Sequence, residues 1–283
     1  MATFPERALA WVNAALVTAF DVLLGPLMGL PPLVSLLLVS LVTAAAMLVV
    51  VARTSNQRAM IETKRGIHAA LFEIRLYGDQ PGLMLRAFGE VLVRNGRYLL
   101  LSLVPLAWMS VPLVLVIAQL QAFYGYAGLQ PGAQALITVQ LITDAGSAAA
   151  SALVLEAPAA VGLETGAVRL AGSSEVVWRI RPRSEGAYVL TFREGGTAVT
   201  KSLLVSPAPG RRSPMSVAAG LADQALYPSE APLPAGSRIA SIAVAYPEPG
   251  IAVFGWRMHW MIVYGVLSLA CAFMLARRFG VTI

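Results

Sequence analysis

Three apolar runs without Lys, Arg, Asp or Glu punctuate the chain: Pro32 to Ala52, Leu99 to Leu120 and Met258 to Ala276. Each approaches the roughly 20 residues that a helix needs to cross about 30 Å of hydrocarbon. Between the first two runs the pattern becomes amphipathic, with Met60, Ile67, Ala70, Leu71 and Ile74 recurring at helical spacing. Tyr77-Gly78-Asp79-Gln80-Pro81-Gly82 is a dense turn signal, after which Leu85, Phe88, Val91 and Leu92 resume the period. The first helix is expected to continue through Arg53-Thr54-Ser55-Asn56-Gln57-Arg58, and the two amphipathic stretches to form an antiparallel hairpin.

The remaining segments are patterned differently. Pro5 to Met28 is apolar but interrupted by Asp21, Gly25 and Pro26, and as a helix it sets Leu9, Val12, Leu16, Phe20 and Leu23 against Arg7, Thr18 and Asp21. That pattern predicts an interfacial helix, with a signal peptide and a fourth span as the rival readings. The second span holds Pro105 and Pro112, which remove backbone donors and predict a bent helix beside a groove. Ala135 to Thr143, Ala149 to Ala157, Val176 to Arg181, Gly186 to Arg193 and Thr197 to Val205 read as short strands. Tyr188, Leu190 and Phe192 share one face of the fourth, Glu194-Gly195-Gly196 turns the chain into the fifth, and Trp178 is the expected aromatic centre. Their length and spacing predict a small immunoglobulin-like β-sandwich. A Pro-, Gly- and Ala-rich connection, with a short helix near Val217 to Leu226, leads to the aromatic cluster Phe254-Gly255-Trp256 before the third span.

The fold class expected is therefore an α-helical integral membrane protein with three spans and an inserted β domain. Its segments are an N-terminal interfacial helix (1–30), the first span (31–52), a basic helical hairpin (53–98), the second span (99–121), a β-sandwich (130–206), the connection (207–253), the third span (254–277) and a tail (278–283).

Charge distribution adds an orientation. Arg53, Arg58, Lys64, Arg65, Arg75, Arg86, Arg94 and Arg97 between the first two spans outnumber Glu62, Glu73, Asp79 and Glu90, and Arg277-Arg278 follow the third. By the positive-inside rule both clusters are cytoplasmic, so the N-terminus and the β domain are extracytoplasmic, in a bacterial-type inner membrane. Mean hydropathy of +0.70 and a charged fraction of 13% agree with a membrane protein. The net charge of +6 is accounted for by these clusters, and nucleic acid is not an expected partner.

The single cysteine, Cys271, lies inside the third run, and His68 and His259 lack metal-ligand spacing. No phosphate loop, paired carboxylates or nucleophile-base set is apparent, so the reading is a non-enzyme without cofactor or metal. The chemistry that stands out is polar side chains in and beside the spans. Ser40 and Thr43 share a helix face in span one, Arg53, Asn56 and Gln57 stand at its cytoplasmic end, and Ser110 lies in span two. Together they form a candidate hydrophilic groove with a positive charge at its mouth.

An outside N-terminus, a span, the Arg53-Thr54-Ser55-Asn56-Gln57-Arg58 segment, a basic hairpin turning at Tyr77 to Gly82 and a proline-containing second span together resemble the Oxa/YidC membrane-insertase superfamily, in its small three-span members. The resemblance implies a groove that receives polar parts of client chains, with Arg53 as the counterpart of the family's positive residue, although here it stands at the end of the span. It also implies membrane-protein clients as partners beside the lipids. The alternative is a noncatalytic scaffold subunit of a larger inner-membrane complex, with partner subunits in place of clients.

Overall fold

The computed structural model describes residues 4–77, 79–142, 153–169, 174–194, 197–218, 220–234 and 236–281. The chain divides into two compact units, Met1–Ser35 with Leu115–Trp260, and Leu36–Val114 with Met261–Ile283.

Helix α1 spans Phe4–Leu24 and a 3-10 turn follows at Pro26–Gly29. Helix α2 (Pro32–Thr54) is almost entirely Leu, Val and Ala, and three of its four hydroxyls turn back onto their own backbone. Thr43 Oγ1 donates to the Val39 carbonyl at 2.8 Å and Thr54 Oγ1 to that of Val50 at 2.7 Å. The helix then stops rather than continuing into the hairpin. Asn56 accepts a hydrogen bond from the Ala59 amide at 3.2 Å, capping a new helix α3 at Gln57–Leu76. A side-chain acceptor that satisfies an orphan amide favours a fresh N-terminus over helix propagation.

After the turn, Pro81 opens helix α4 (Pro81–Tyr124), a position where its missing N–H has no helical partner to lose. The second hairpin arm and the second span are one element of 44 residues, which passes through Pro105 and Pro112. At about 1.5 Å per residue such a helix is roughly 66 Å long, twice the hydrocarbon thickness. Helix α6 (Trp260–Ala276) is the third long apolar helix, extended to Phe279 by a 3-10 turn. Three helices are thus long and apolar enough to cross a membrane, and we read the chain as a membrane protein. Within the second unit Leu48 of α2 packs with Ala276 and Val281, joining span one to span three.

Two antiparallel sheets enclose the core of the β-rich unit. The larger has strand order β3-β5-β1-β9-β8, with β4 also paired to β5. These are β1 (Ala135–Leu141), β3 (Val161–Leu163), β4 (Val168–Arg169), β5 (Glu175–Pro182), β8 (Met215–Val217) and β9 (Ile239–Val244). The smaller runs β2 (Val154–Glu156), β6 (Gly186–Glu194), β7 (Thr197–Val205). Register pairs Glu194 with Thr197, so the β6–β7 loop is Gly195-Gly196, which lies outside the described residues, as do Thr143 and 149–152 of the expected strands. Period-2 alternation sets the inner faces: Ile137, Val139, Val176, Trp178 and Ile180 from one sheet meet Leu190, Phe192, Val199 and Leu203 from the other in one core. Trp178 and Phe192 meet edge to face, ring centroids 5.9 Å apart.

The stretch 207–253 is more ordered than its composition predicts. It contributes β8, a short helix α5 (Leu221–Leu226), the interior strand β9, and β10 (Gly250–Val253), which forms a separate hairpin with β11 (Trp256–His259). The strand ending at Val217 occupies the start of the expected helix. β9 (Ile-Ala-Ser-Ile-Ala-Val) buries Ile239, Ile242 and Val244 and is paired on both edges, with β1 and with β8.

Candidate functional site

The six polar residues of the predicted groove occupy distinct settings. Ser40 and Thr43 are both buried on α2, and while Thr43 closes onto Val39, the Ser40 hydroxyl has no hydrogen-bond partner. Asn56 is spent on the cap of α3, Gln57 is its half-buried first residue, and Arg53 is exposed in the last turn of α2. Ser110 is exposed on α4, where its hydroxyl donates to the Ala107 carbonyl at 2.8 Å. The structure therefore places Ser40 and Thr43 on a buried face and Ser110 on an exposed one.

That exposed face of α4 has a regular composition. Leu85, Leu92, Leu99 and Leu106 recur every seven residues and are 70%, 58%, 61% and 59% exposed. Phe88 and Leu103, also exposed, fill the half-turns between them, and Ser110 follows one turn after Leu106. A seven-residue repeat drifts by only about 20° per repeat on an α-helix, so these side chains form one nearly straight stripe. It starts in the hairpin arm, outside the apolar run that begins at Leu99, and continues into that run. Such a seam is the surface onto which another helix packs by inserting knobs between leucines. Ala87 and Pro105 are buried on α4, whereas Val93, Leu100, Val104 and Trp108, off the stripe, are exposed as well.

Beside the stripe the hairpin is basic. Lys64, Arg65 and His68 of α3, with Met60, Ile61 and Tyr98, line a hollow of about 270 Å³. Arg94 crosses Gly66 so closely that any side chain there would collide with its guanidinium, and it pairs with Glu90 one turn earlier.

Two polar clusters in the β-rich unit escaped the sequence reading. Lys201 of β7 is fully buried, because strand alternation puts it on the same inward face as Val199 and Leu203. Its Nζ donates to the Ser213 carbonyl (2.8 Å), the Ser213 hydroxyl (2.9 Å) and Glu230 (2.9 Å). Glu230 also accepts from the Ser202 amide and from the hydroxyls of Ser202 and Ser216. Burial pulls the Lys201 amine below its ordinary range, and the adjacent Glu230 carboxylate pulls it back. The second cluster centres on Arg211, which donates to Asp21 of α1 (2.7 Å) and Gln119 of α4 (3.1 Å) and lies over the Phe123 ring at 4.8 Å. A lysine at inward strand parity was the available sign of the first. Nothing local marks the second, whose partners are 92 and 190 residues away.

Among the described residues no group of three or more His, Cys, Asp or Glu is placed to hold a metal ion. Compared with protein-family models, curated proteins and solved structures, the chain matches none.

Proposed function

We propose that this protein is an insertase-like membrane chaperone whose working surface is the leucine stripe of α4. The carrying observation is that Leu85, Leu92, Leu99 and Leu106 remain exposed along one helix that begins in a basic hairpin and continues as an apolar span. An apolar client segment docking at Leu85 and Phe88 can slide toward Leu106 without leaving an apolar surface. Ser110 at the far end offers its hydroxyl oxygen to polar backbone that hydrocarbon cannot satisfy. Arg53 and the hairpin cations attract acidic flanks. In this reading the hairpin and C-terminus are cytoplasmic, and the N-terminus and the two-sheet unit, immunoglobulin-like in its layering, are extracytoplasmic in a bacterial-type inner membrane. Helix α1 then lies at the outer interface.

A photo-crosslinking residue at Leu92 in the full-length chain, reconstituted in vesicles during translation of a short-tailed membrane protein, tests this. The expected result is a crosslink to the client's apolar segment, and a loss of insertion of about tenfold or more when Leu85, Leu92 and Leu99 are all changed to Ser, the scale of removing several apolar contacts. Full insertion by the triple variant refutes the reading.

A second reading, a noncatalytic scaffold subunit, is favoured by the β10–β11 hairpin. Its tip presents Phe254 fully exposed at a φ of 48° and Trp256 at 77% exposure, a conformation and an exposure that suit a contact with another chain. In that case the Leu92 crosslink goes to one fixed partner whether or not translation is under way.

A further inference from the structure

Two consecutive arginines in the β-rich unit are treated in opposite ways. Arg211 has a carboxylate, an amide oxygen and an aromatic ring around it. Arg212 is more deeply buried, at 2% exposure, and forms no ion pair with any described residue. Its Nη2 donates to the carbonyls of Ser206 (2.9 Å) and Ala208, and its Nη1 more weakly to that of Gly210 (3.4 Å). Its Nε is buried and has no hydrogen-bond partner. The cradle is tight: a side chain on Gly128 would meet the Ser206 carbonyl and the Arg212 guanidinium.

This cation lines a cavity of about 580 Å³ whose other walls are mostly apolar, among them Leu30, Leu33, Phe123 and Ile251. Of the residues around the cavity only Arg212 carries a formal charge. Ser35 and Tyr124 also line it, but bond to each other at 3.0 Å. Pro32 and Tyr124, both in its wall, are the first residue of α2 and the last of α4. The cavity thus lies where two apolar helices end, the depth at which lipid headgroups meet acyl chains.

We propose that this cavity binds one acidic phospholipid, with its phosphate on Arg212 and an acyl chain along Leu30, Leu33, Phe123 and Ile251. Arg212 has no carboxylate partner among the described residues, so its charge is complementary to a phosphate even though Nη2 is held by two carbonyls. The apolar walls match a chain, and the bilayer supplies both parts in one molecule. The assignment is independent of whether the stripe on α4 serves a client or a fixed partner.

The test uses the full-length chain in micelles containing equal amounts of phosphatidylglycerol and phosphatidylcholine, with oleic acid in a parallel sample, followed by native mass spectrometry. One retained phosphatidylglycerol per chain is expected, favoured over phosphatidylcholine by about tenfold or more. Arg212→Gln is expected to abolish that preference. Because Arg212 also holds three carbonyls, Ala252→Trp provides a variant that leaves the cradle intact: Ala252 is an exposed residue of the cavity wall, and an indole there fills the space. It is expected to lose the lipid while melting within a few degrees of the parent. Equal retention of the two phospholipids, unchanged retention in a folded Ala252→Trp, or retention of oleate but not phosphatidylglycerol each overturns the proposal.

Discussion

Phe192 and Phe88 are the same side chain in opposite circumstances. Phe192, in β6, has no exposed surface and meets the edge of Trp178, in a core to which every long strand of both sheets contributes. Phe88, in α4, is 53% exposed and belongs to a stripe that no described residue covers. The difference extends to polar groups. In the β-rich unit a buried lysine comes with a carboxylate and three serines, whereas in the helical unit the buried Ser40 hydroxyl is left unpaired. The sheets are completed by their own residues. The helices leave apolar surface that their own unit does not cover.

The largest break in that contrast is Glu230→Ala. It removes the counter-charge of a fully buried lysine and strands the donors of Ser202 and Ser216, so a loss of about 3–5 kcal/mol is expected in denaturant unfolding followed by Trp178 fluorescence. A loss below about 1 kcal/mol is incompatible with the cluster as drawn.

The next effect depends on pH. Tyr246 is buried, which holds its phenol above the ordinary 10.0, while a hydrogen bond from the Leu204 amide and the nearby Arg212 charge act in the opposite direction. Above pH 10 the unfolded chain releases this proton and the folded chain keeps it. Stability therefore falls as pH rises from there toward the folded value, by up to about 1.4 kcal/mol per pH unit. Lys201 works the other way: its lowered folded value lets the folded chain release a proton first, and stability rises with pH up to the ordinary 10.5. Tyr246→Phe removes only the fall, so the variant-minus-parent difference is flat below pH 10 and climbs above it. A difference that is flat throughout contradicts the assigned burial.

The smallest effect on folding is expected where the apolar surface is largest. Phe88→Ser is expected to change stability by no more than about 0.5 kcal/mol, since the ring loses little burial. A destabilisation above about 2 kcal/mol in detergent means that the stripe is already covered within the folded chain.

Where local chemistry decides the structure, the chain could be read directly. The three apolar runs needed only length and the absence of charge, and the alternation of Tyr188, Leu190 and Phe192 named the inward face of β6. Where distant partners decide, it could not. β9 lies in a Pro-, Gly- and Ala-rich stretch and becomes an interior strand between β1 and β8, which are distant in sequence or separated from it by a helix. The break between α2 and α3 turns on a single Asn56 hydrogen bond within an otherwise helical pattern. Span three packs against Leu48 of span one, a pairing that a uniformly apolar helix does not advertise. At the candidate site, the heptad spacing of Leu85, Leu92, Leu99 and Leu106 was present in the sequence all along. It was hidden because the last two leucines merge into an apolar run, and only their exposure on one continuous helix separates stripe from span.

The single thiol has a consequence for where this protein can be made. Cys271 is buried in α6, and neither sheet contains a cysteine. A small extracellular β domain commonly relies on a disulfide, and so on an oxidising compartment and the enzymes that maintain it. Here the Lys201–Glu230 cluster and the Trp178–Phe192 core do the cross-linking, so glutathione poise leaves the fold's stability unchanged. The sheets can form in a reducing compartment as readily as in an oxidising one.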